Sequence, residues 1–375
     1  MKVGINTLSV TPSRGGGKTY LLNLVKYLAR IDKRNIYYLF VSPINWFLFK
    51  NLVGSNFNLV VLPLVVDNSL LKVLIEQLLL PFYLKRYNID IMFCPNNIGI
   101  FLSLSKLIIV IHDMHYINIP EHLSKIKVSY YKIFLPISVK KSNKVIVPSF
   151  VTKNDLCKVV KGSFDKIKVI YEGANTQLDS NLKSNSLEKI KINYPFILFV
   201  STLFKYKNVD KLIKAFAILK KRYRVPQKLV IIGRDPQKEI YHLKNLAINL
   251  GVSQYIYFLG RVNDVFLYYK LSDVFVYPSS AEGFGLPLLE AMTCGTPVIA
   301  SNRTSIPEIV GDAGLIVDPD NIEELAEAIW KVLTDKKLRE NLIKKGYERI
   351  KQFSWEKTAK ETLKVFEEVY YENIT

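Results

Sequence analysis

Short apolar runs recur along this chain, and the longer stretches between them repeat their apolar positions every three or four residues. The runs predict strands at Lys2–Asn6, Ile36–Val41, Asn58–Leu62, Asp90–Cys94, Leu107–Ile111, Lys144–Val147 and Ile167–Ile170. A second series follows at Pro195–Val200, Leu229–Ile232, Tyr255–Leu259, Val274–Tyr277 and Pro297–Ala300. Between them the spacing predicts helices at Lys18–Ile31, where Leu21, Leu24, Val25 and Leu28 share one face, and at Leu70–Arg86, Phe150–Val160 and Asp264–Leu271. Helical patterns run from Ile322 to the end, the last over Trp355–Tyr370. Strands that are apolar throughout and alternate with helices belong to parallel sheets covered on both faces, an α/β architecture.

A chain of 375 residues with 49% hydrophobic positions is long for one core and suits two domains. The Asn- and Ser-rich stretch after Ala174 lacks apolar periodicity and reads as a linker, set at 177–191. The domains are then 1–176 and 192–355, with a terminal helix, 356–375, packing back on the first.

Charge is uneven. Residues 1–185 hold 24 Lys and Arg against 10 Asp and Glu, a net +14 of the total +19. A basic field of this size fits nucleic acid, an anionic membrane surface or an acidic substrate, and biased residue usage can also produce it. The lysines are spread over many helices with no aromatic-basic RNA motif or helix-turn-helix signature, so no specific nucleic acid is expected. The longest apolar runs break before about 18 residues, so no spanning helix is expected. The first residues enter a strand directly rather than a signal sequence. Cys94, Cys157 and Cys294 are widely spaced, which points to a reducing, cytoplasmic compartment and to no structural zinc site.

The densest chemistry lies in Tyr277–Thr296. Glu282 and Glu290 bracket the turn Gly283-Phe284-Gly285, and Leu286 and Pro287 open a short helix predicted over Pro287–Cys294, with Gly295 suited to C′. Backbone amides at such a turn can point at an anion or at sugar hydroxyls. Gly15, Gly16 and Gly17 follow the first strand and open a helix, the phosphate-binding corner of a doubly wound sheet or a plain turn. The spacing is not a P-loop, because Pro12 stands where a glycine is needed. His112 lies at a strand end, where ligands bind in such sheets. Ser149 suits a helix N-cap as well as a ligand contact.

Glu282-Gly-Phe-Gly-Leu-Pro-Leu-Leu-Glu290-Ala-Met followed by Gly295-Thr-Pro-Val-Ile-Ala resembles the donor-sugar motif of the retaining family-4 glycosyltransferases. The resemblance implies a GT-B fold, two Rossmann-like doubly wound domains facing a central cleft, with the donor on the second domain and the acceptor on the first. It implies that Glu282 and the amides of Gly283, Phe284 and Gly285, with Leu286, hold the transferred sugar, and that Glu290 binds the ribose. His112 would lie near the sugar, Gly15, Gly16 and Gly17 would face the donor phosphates, and Gly260 and Arg261 would run along the base. Ser201–Asn208 resembles the phosphate-binding stretch, with Lys207-Asn208 matching; Thr202 and Tyr206 stand where that family carries an arginine, and Lys205 and Lys207 would supply the charge.

The resemblance thus implies a metal-independent hexosyltransferase moving mannose first among the hexoses, from a GDP- or UDP-linked sugar, with retention and no cofactor. The acceptor expected is a glycan or lipid-linked hydroxyl. The basic first half, with Trp46–Phe49 and Pro81–Leu84, suggests peripheral contact with the inner face of an anionic membrane. The alternatives are a catalytically degenerate GT-B protein, which the missing arginines allow, and a binding protein using its basic surface.

Overall fold

Lys2–Asn6, buried from Val3 onward, form β1 in the interior of a parallel sheet covered on both faces. The computed structural model describes residues 1–12, 15–63, 69–160, 162, 164–174 and 193–372. The linker expected at 177–191 lies outside the described residues. The chain divides into two compact units, Met1–Gly173 with Trp355–Thr375, and Ala174–Ser354.

In the first unit the strands β1, β2 (Ile36–Val41), β3 (Phe57–Val61), β4 (Ile91–Cys94), β5 (Lys106–Val110), β6 (Lys144–Val147) and β7 (Ile167–Val169) form one sheet in the order β3-β2-β1-β4-β5-β6-β7, all pairs parallel. The helices are α1 (Gly16–Ile31), α2 (Ser69–Arg86), α3 (His115–Asn118), α4 (Lys125–Lys141) and α5 (Phe150–Val159). Chain order reverses between β1 and β4, the switch point beyond which doubly wound sheets hold ligands.

The second unit repeats the plan with β8 (Phe196–Val200), β9 (Lys228–Ile232), β10 (Ile256–Gly260), β11 (Val274–Tyr277), β12 (Val298–Ser301) and β13 (Gly314–Val317), ordered β10-β9-β8-β11-β12-β13. Its helices are α6 (Val209–Ile218), α7 (Glu239–Asn249), α8 (Val265–Leu271), α9 (Leu286–Thr293), α10 (Ile306–Val310), α11 (Ile322–Thr334) and α12 (Lys336–Ile350). The switch point falls between β8 and β11.

The last helix, α13 (Trp355–Tyr371), belongs to the first unit and packs along α1. Trp355 meets Tyr20 edge-on, and Phe366 meets Phe93 with ring centroids 5.3 Å apart. Gly173 allows this approach: a Cβ there would lie 2.2 Å from the Trp355 amide nitrogen. Among the described residues no helix is long and apolar enough to cross a membrane.

The aromatic segments split between core and surface. Phe49 and Leu84 are buried, whereas Trp46, Phe47 and Phe82 are exposed.

Candidate functional site

Two loops flank the switch point of the second unit, one leaving β8 and the other leaving β11, and short local bonds lock them together. Asn208 takes the left-handed conformation (φ 56°) that asparagine tolerates, and its side-chain amide donates to Pro278 O and Ser280 Oγ, both at 2.7 Å. The Ser280 amide donates to Tyr206 O at 2.8 Å. These bonds carry Lys207 to Glu282.

Lys207 Nζ donates to Glu282 Oε1, and Tyr277 Oη donates to the same oxygen at 2.6 Å. Lys207 Nζ also lies 3.3 Å from Tyr277 Oη and over the Tyr206 ring. Both charged side chains are largely enclosed, 7% and 12% exposed, so each limits the cost of burying the other. Burial and the Glu282 carboxylate push the Tyr277 hydroxyl well above its ordinary pKa, keeping it a donor. The Glu282 backbone is pinned as well: its amide donates to Thr304 Oγ1 at 2.9 Å, and Ser305 Oγ donates to its carbonyl at 3.0 Å. Lys207, expected from sequence as a cation for the diphosphate, is thus also the partner of the Glu282 carboxylate.

Beyond Glu282 the turn uses its conformational freedom at Gly285, which caps α9 with φ 107°. The Phe284 ring is buried against Phe353, so what that residue offers a ligand is backbone. Leu286 rather than Pro287 begins α9, with proline at the second position, where its missing N–H costs nothing. Gly295 is left-handed at C′ (φ 72°). Glu290 is half-buried on α9, and its Oε2 accepts from Tyr269 Oη at 3.2 Å. Burial and Glu290 together raise the Tyr269 hydroxyl pKa, and the same two causes push the Cys294 thiol up to about 12.

The other residues expected around the donor are more dispersed. Thr202 lies two residues past the end of β8 and is half-buried. Lys205 lines a cavity of about 420 Å³ with Phe204, Asp210, Lys211, Glu239 and His242, and neither Glu282 nor Glu290 lines it. Gly260 (φ 62°) ends β10, the edge strand, exposed Arg261 follows it, and two strands, β9 and β8, separate β10 from β11.

In the first unit, Gly15 caps α1, while Gly16 and Gly17 are its first residues, so the helix starts two residues earlier than the periodicity predicts. A Cβ at any of the three would meet nothing within 4 Å, so neither packing nor backbone conformation demands glycine there.

His112 follows β5 and is anchored on three sides. Its amide donates to Asn97 Oδ1 at 2.9 Å, Nδ1 is 3.3 Å from Glu172 Oε1, and Nε2 is 3.1 Å from Pro95 O. Tyr20 packs edge-on against the ring at 4.8 Å. Burial opposes the charged ring, but the hydrogen bond and charge of Glu172, with Asp113 and Pro95, outweigh it and raise the pKa. Two acceptors on two ring nitrogens favour the imidazolium. Ser149 is spent as the cap of α5, accepting from the Thr152 amide at 3.1 Å.

Sequence reasoning did not single out Tyr277, Tyr269, Thr304 or Glu172. Glu172 had one available signal, a carboxylate in an otherwise apolar strand exit; the tyrosines read as core.

Residues 14–178 match the family described as Glycosyltransferase Family 4, and residues 183–349 match Glycosyl transferases group 1. O-antigen chain mannosyltransferase B of Escherichia coli is 30% identical over 271 residues, 70% of this chain and 70% of that protein. O-antigen chain mannosyltransferase RfbU of Salmonella typhimurium is 30% identical over 233 residues, 59% of this chain and 62% of that one. The structure of sucrose-phosphate synthase from Thermosynechococcus elongatus superposes with a TM-score of 0.81 at 20% identity, covering 99% of this chain and 100% of the other, a likeness of fold.

Proposed function

The chain belongs to the family-4, group 1 glycosyltransferases of GT-B fold, and from that premise we propose that it transfers mannose from GDP-mannose to a hydroxyl of a glycan or lipid-linked acceptor, with retention and without a metal. The observation that carries this reading is Glu282, fixed by Lys207 and Tyr277 at the strand-end switch point of the second unit. Mannose is favoured because curated relatives at 30% identity are named mannosyltransferases. A UDP-hexose is the competing donor.

In this reading Glu282 orients the sugar hydroxyls. Glu290 holds the ribose, and Tyr269 fixes the rotamer of Glu290. The Lys207 ammonium has three donors: two meet Glu282 and Tyr277, and the third is directed to the departing diphosphate, whose charge grows as the bond to C1 breaks. The acceptor oxygen attacks C1 from the face the diphosphate leaves, the C1–O bond to phosphate breaks, and the acceptor proton passes to the released phosphate oxygen. No covalent glycosyl-enzyme is required, so Glu282 and Glu290 are not the carboxylate pair of a double displacement. The free thiols Cys94, Cys157 and Cys294 support a cytoplasmic site of action.

A thermal-shift comparison of GDP, UDP and their sugar conjugates tests the donor, because a ligand of the native state raises Tm by mass action. The expected result is a shift with GDP and GDP-mannose. A shift with UDP alone would replace the donor, and no shift with either would remove the nucleotide-sugar reading.

A further inference from the structure

On the first unit, α2 and α4 expose apolar side chains along their outer faces. On α2 these are Leu74, Leu78 and Phe82, four residues apart and 61%, 70% and 61% exposed. Spacing of four places them in one stripe on the helix. On α4 the exposed apolar residues are Ile126, Ile133 and Ile137. The loop between β4 and β5 joins the two stripes and adds Leu102 and Leu104, the latter 97% exposed.

Side-chain bonds show that the three elements are neighbours. From α2, Gln77 donates to Gly99 O and accepts from the Phe101 amide, both at 2.9 Å. From α4, Ser138 Oγ accepts from the Gly99 amide, Lys141 Nζ donates to Phe101 O, and the Phe134 ring lies 5.8 Å from that of Phe101. A surface this rich in leucine and isoleucine exceeds the scattered exposure usual in a monomer.

Its charge selects the occupant. Lys125, Lys127, Lys132, Lys140 and Lys141 are exposed on α4, which has no acidic residue, and α2 ends in exposed Lys85 and Arg86. The acidic side chain of α2, Glu76, is buried. A second copy docking face to face would set lysine against lysine. Aliphatic side chains ringed by cations match a lipid surface: acyl chains take the former and anionic headgroups the latter. Nucleic acid would meet the cations but gains little from leucines and isoleucines, which do not stack on bases.

We propose that the α2–α4 face is a docking surface for an anionic lipid bilayer, on which the protein lies without spanning it. This surface takes in Phe82 of the Pro81–Leu84 segment that the sequence suggested, whereas Phe49 and Leu84 belong to the core.

Vesicle co-sedimentation tests it, using full-length protein with phosphatidylcholine alone and with phosphatidylcholine containing about a third phosphatidylglycerol. The expected result is partitioning onto the anionic vesicles, weakened by about 150 mM salt, and slight binding to the neutral ones. Leu78→Gln with Phe82→Gln should lower the partition coefficient about tenfold or more, and Lys132→Gln with Lys140→Gln should do so through charge alone, each double variant keeping the wild-type Tm. The second pair lies on a different helix and alters no apolar contact, so it remains decisive if the first fails to fold. No binding to anionic vesicles, or equal binding by folded variants, would overturn the proposal. So would a concentration-dependent dimer in lipid-free solution that the same substitutions abolish, because a second copy would then be what covers the face. The readout requires no sugar transfer, so it fails or succeeds independently of the donor assignment.

Discussion

Lys207 and Glu282 lie 75 residues apart in sequence and meet in a nearly enclosed ion pair that Tyr277 completes. The pair makes one unit of what the family resemblance implies as two separate contacts, one to phosphate and one to sugar. Removing either charge leaves the other buried alone, which costs about 3 kcal/mol or more. Glu282→Gln and Lys207→Met are each expected to lose on the order of 10²-fold in kcat, the scale of one preorganised electrostatic group. The double variant should recover part of the stability either single change loses. Urea unfolding of all four proteins, beside initial rates, gives the coupling; strictly additive stabilities would show that the pair does not act as a unit.

Gly16 and Gly17 offer a cleaner separation of function from folding. Since a Cβ there meets nothing, alanine at either position should leave stability unchanged or raise it by less than about 1 kcal/mol, through helix propensity. If the corner faces the donor, activity should nonetheless fall roughly tenfold or more, because the added methyl displaces a ligand held close to the backbone. A fully active Gly16→Ala protein would make the glycines a plain helix start.

Parallel sheets announce themselves through continuous apolar runs, so β1, β2, β6 and β11 are legible to the residue, as are Glu282, Glu290 and Lys207 as candidates. The periodicity is silent on α4, because exposed Ile126, Ile133 and Ile137 on one side and buried Leu135 and Val139 on the other leave no polar face to set the phase. The Lys207–Glu282 pairing is likewise invisible, since it depends on Asn208 turning left-handed and bonding to a loop that follows another strand. Glu172 cannot be connected with His112 from sequence, because the exits of β5 and β7, strands with β6 between them, are brought together only by the order of the sheet.

Tyr269 gives the ribose assignment of Glu290 its own test. The hydroxyl holds one carboxylate oxygen at 3.2 Å, so Glu290→Ala removes the ligand contact and Tyr269→Phe only its orientation. Calorimetric titration with GDP and UDP should show affinity falling about tenfold to a hundredfold in the first, the range for a hydrogen bond to a charged group, and less in the second. Affinity unchanged in Glu290→Ala would remove the ribose role, and a Tyr269→Phe protein bound as weakly as Glu290→Ala would mean the tyrosine itself touches the nucleotide.

His112 and Glu172 predict how stability depends on pH. The folded-state pKa of His112 is raised above 6.5, its ordinary value, so the ion pair's contribution is fully present below about pH 6.5 and is lost as pH rises through the folded pKa. Above that range the neutral ring has one proton for two acceptors, Glu172 Oε1 and Pro95 O, and one of them goes unserved. His112→Gln keeps a donor but cannot titrate. The unfolding free energy of the wild type should therefore fall relative to that of His112→Gln as pH is raised from about 6 to about 9. Glu172 adjoins Gly173, where the first unit ends against Trp355, so the same titration should loosen the packing of α13. Trp355 fluorescence, isolated by replacing Trp46 and Trp330 with phenylalanine, reports that change directly. Parallel stability curves for wild type and His112→Gln across this range would show that the histidine is not charged in the folded protein.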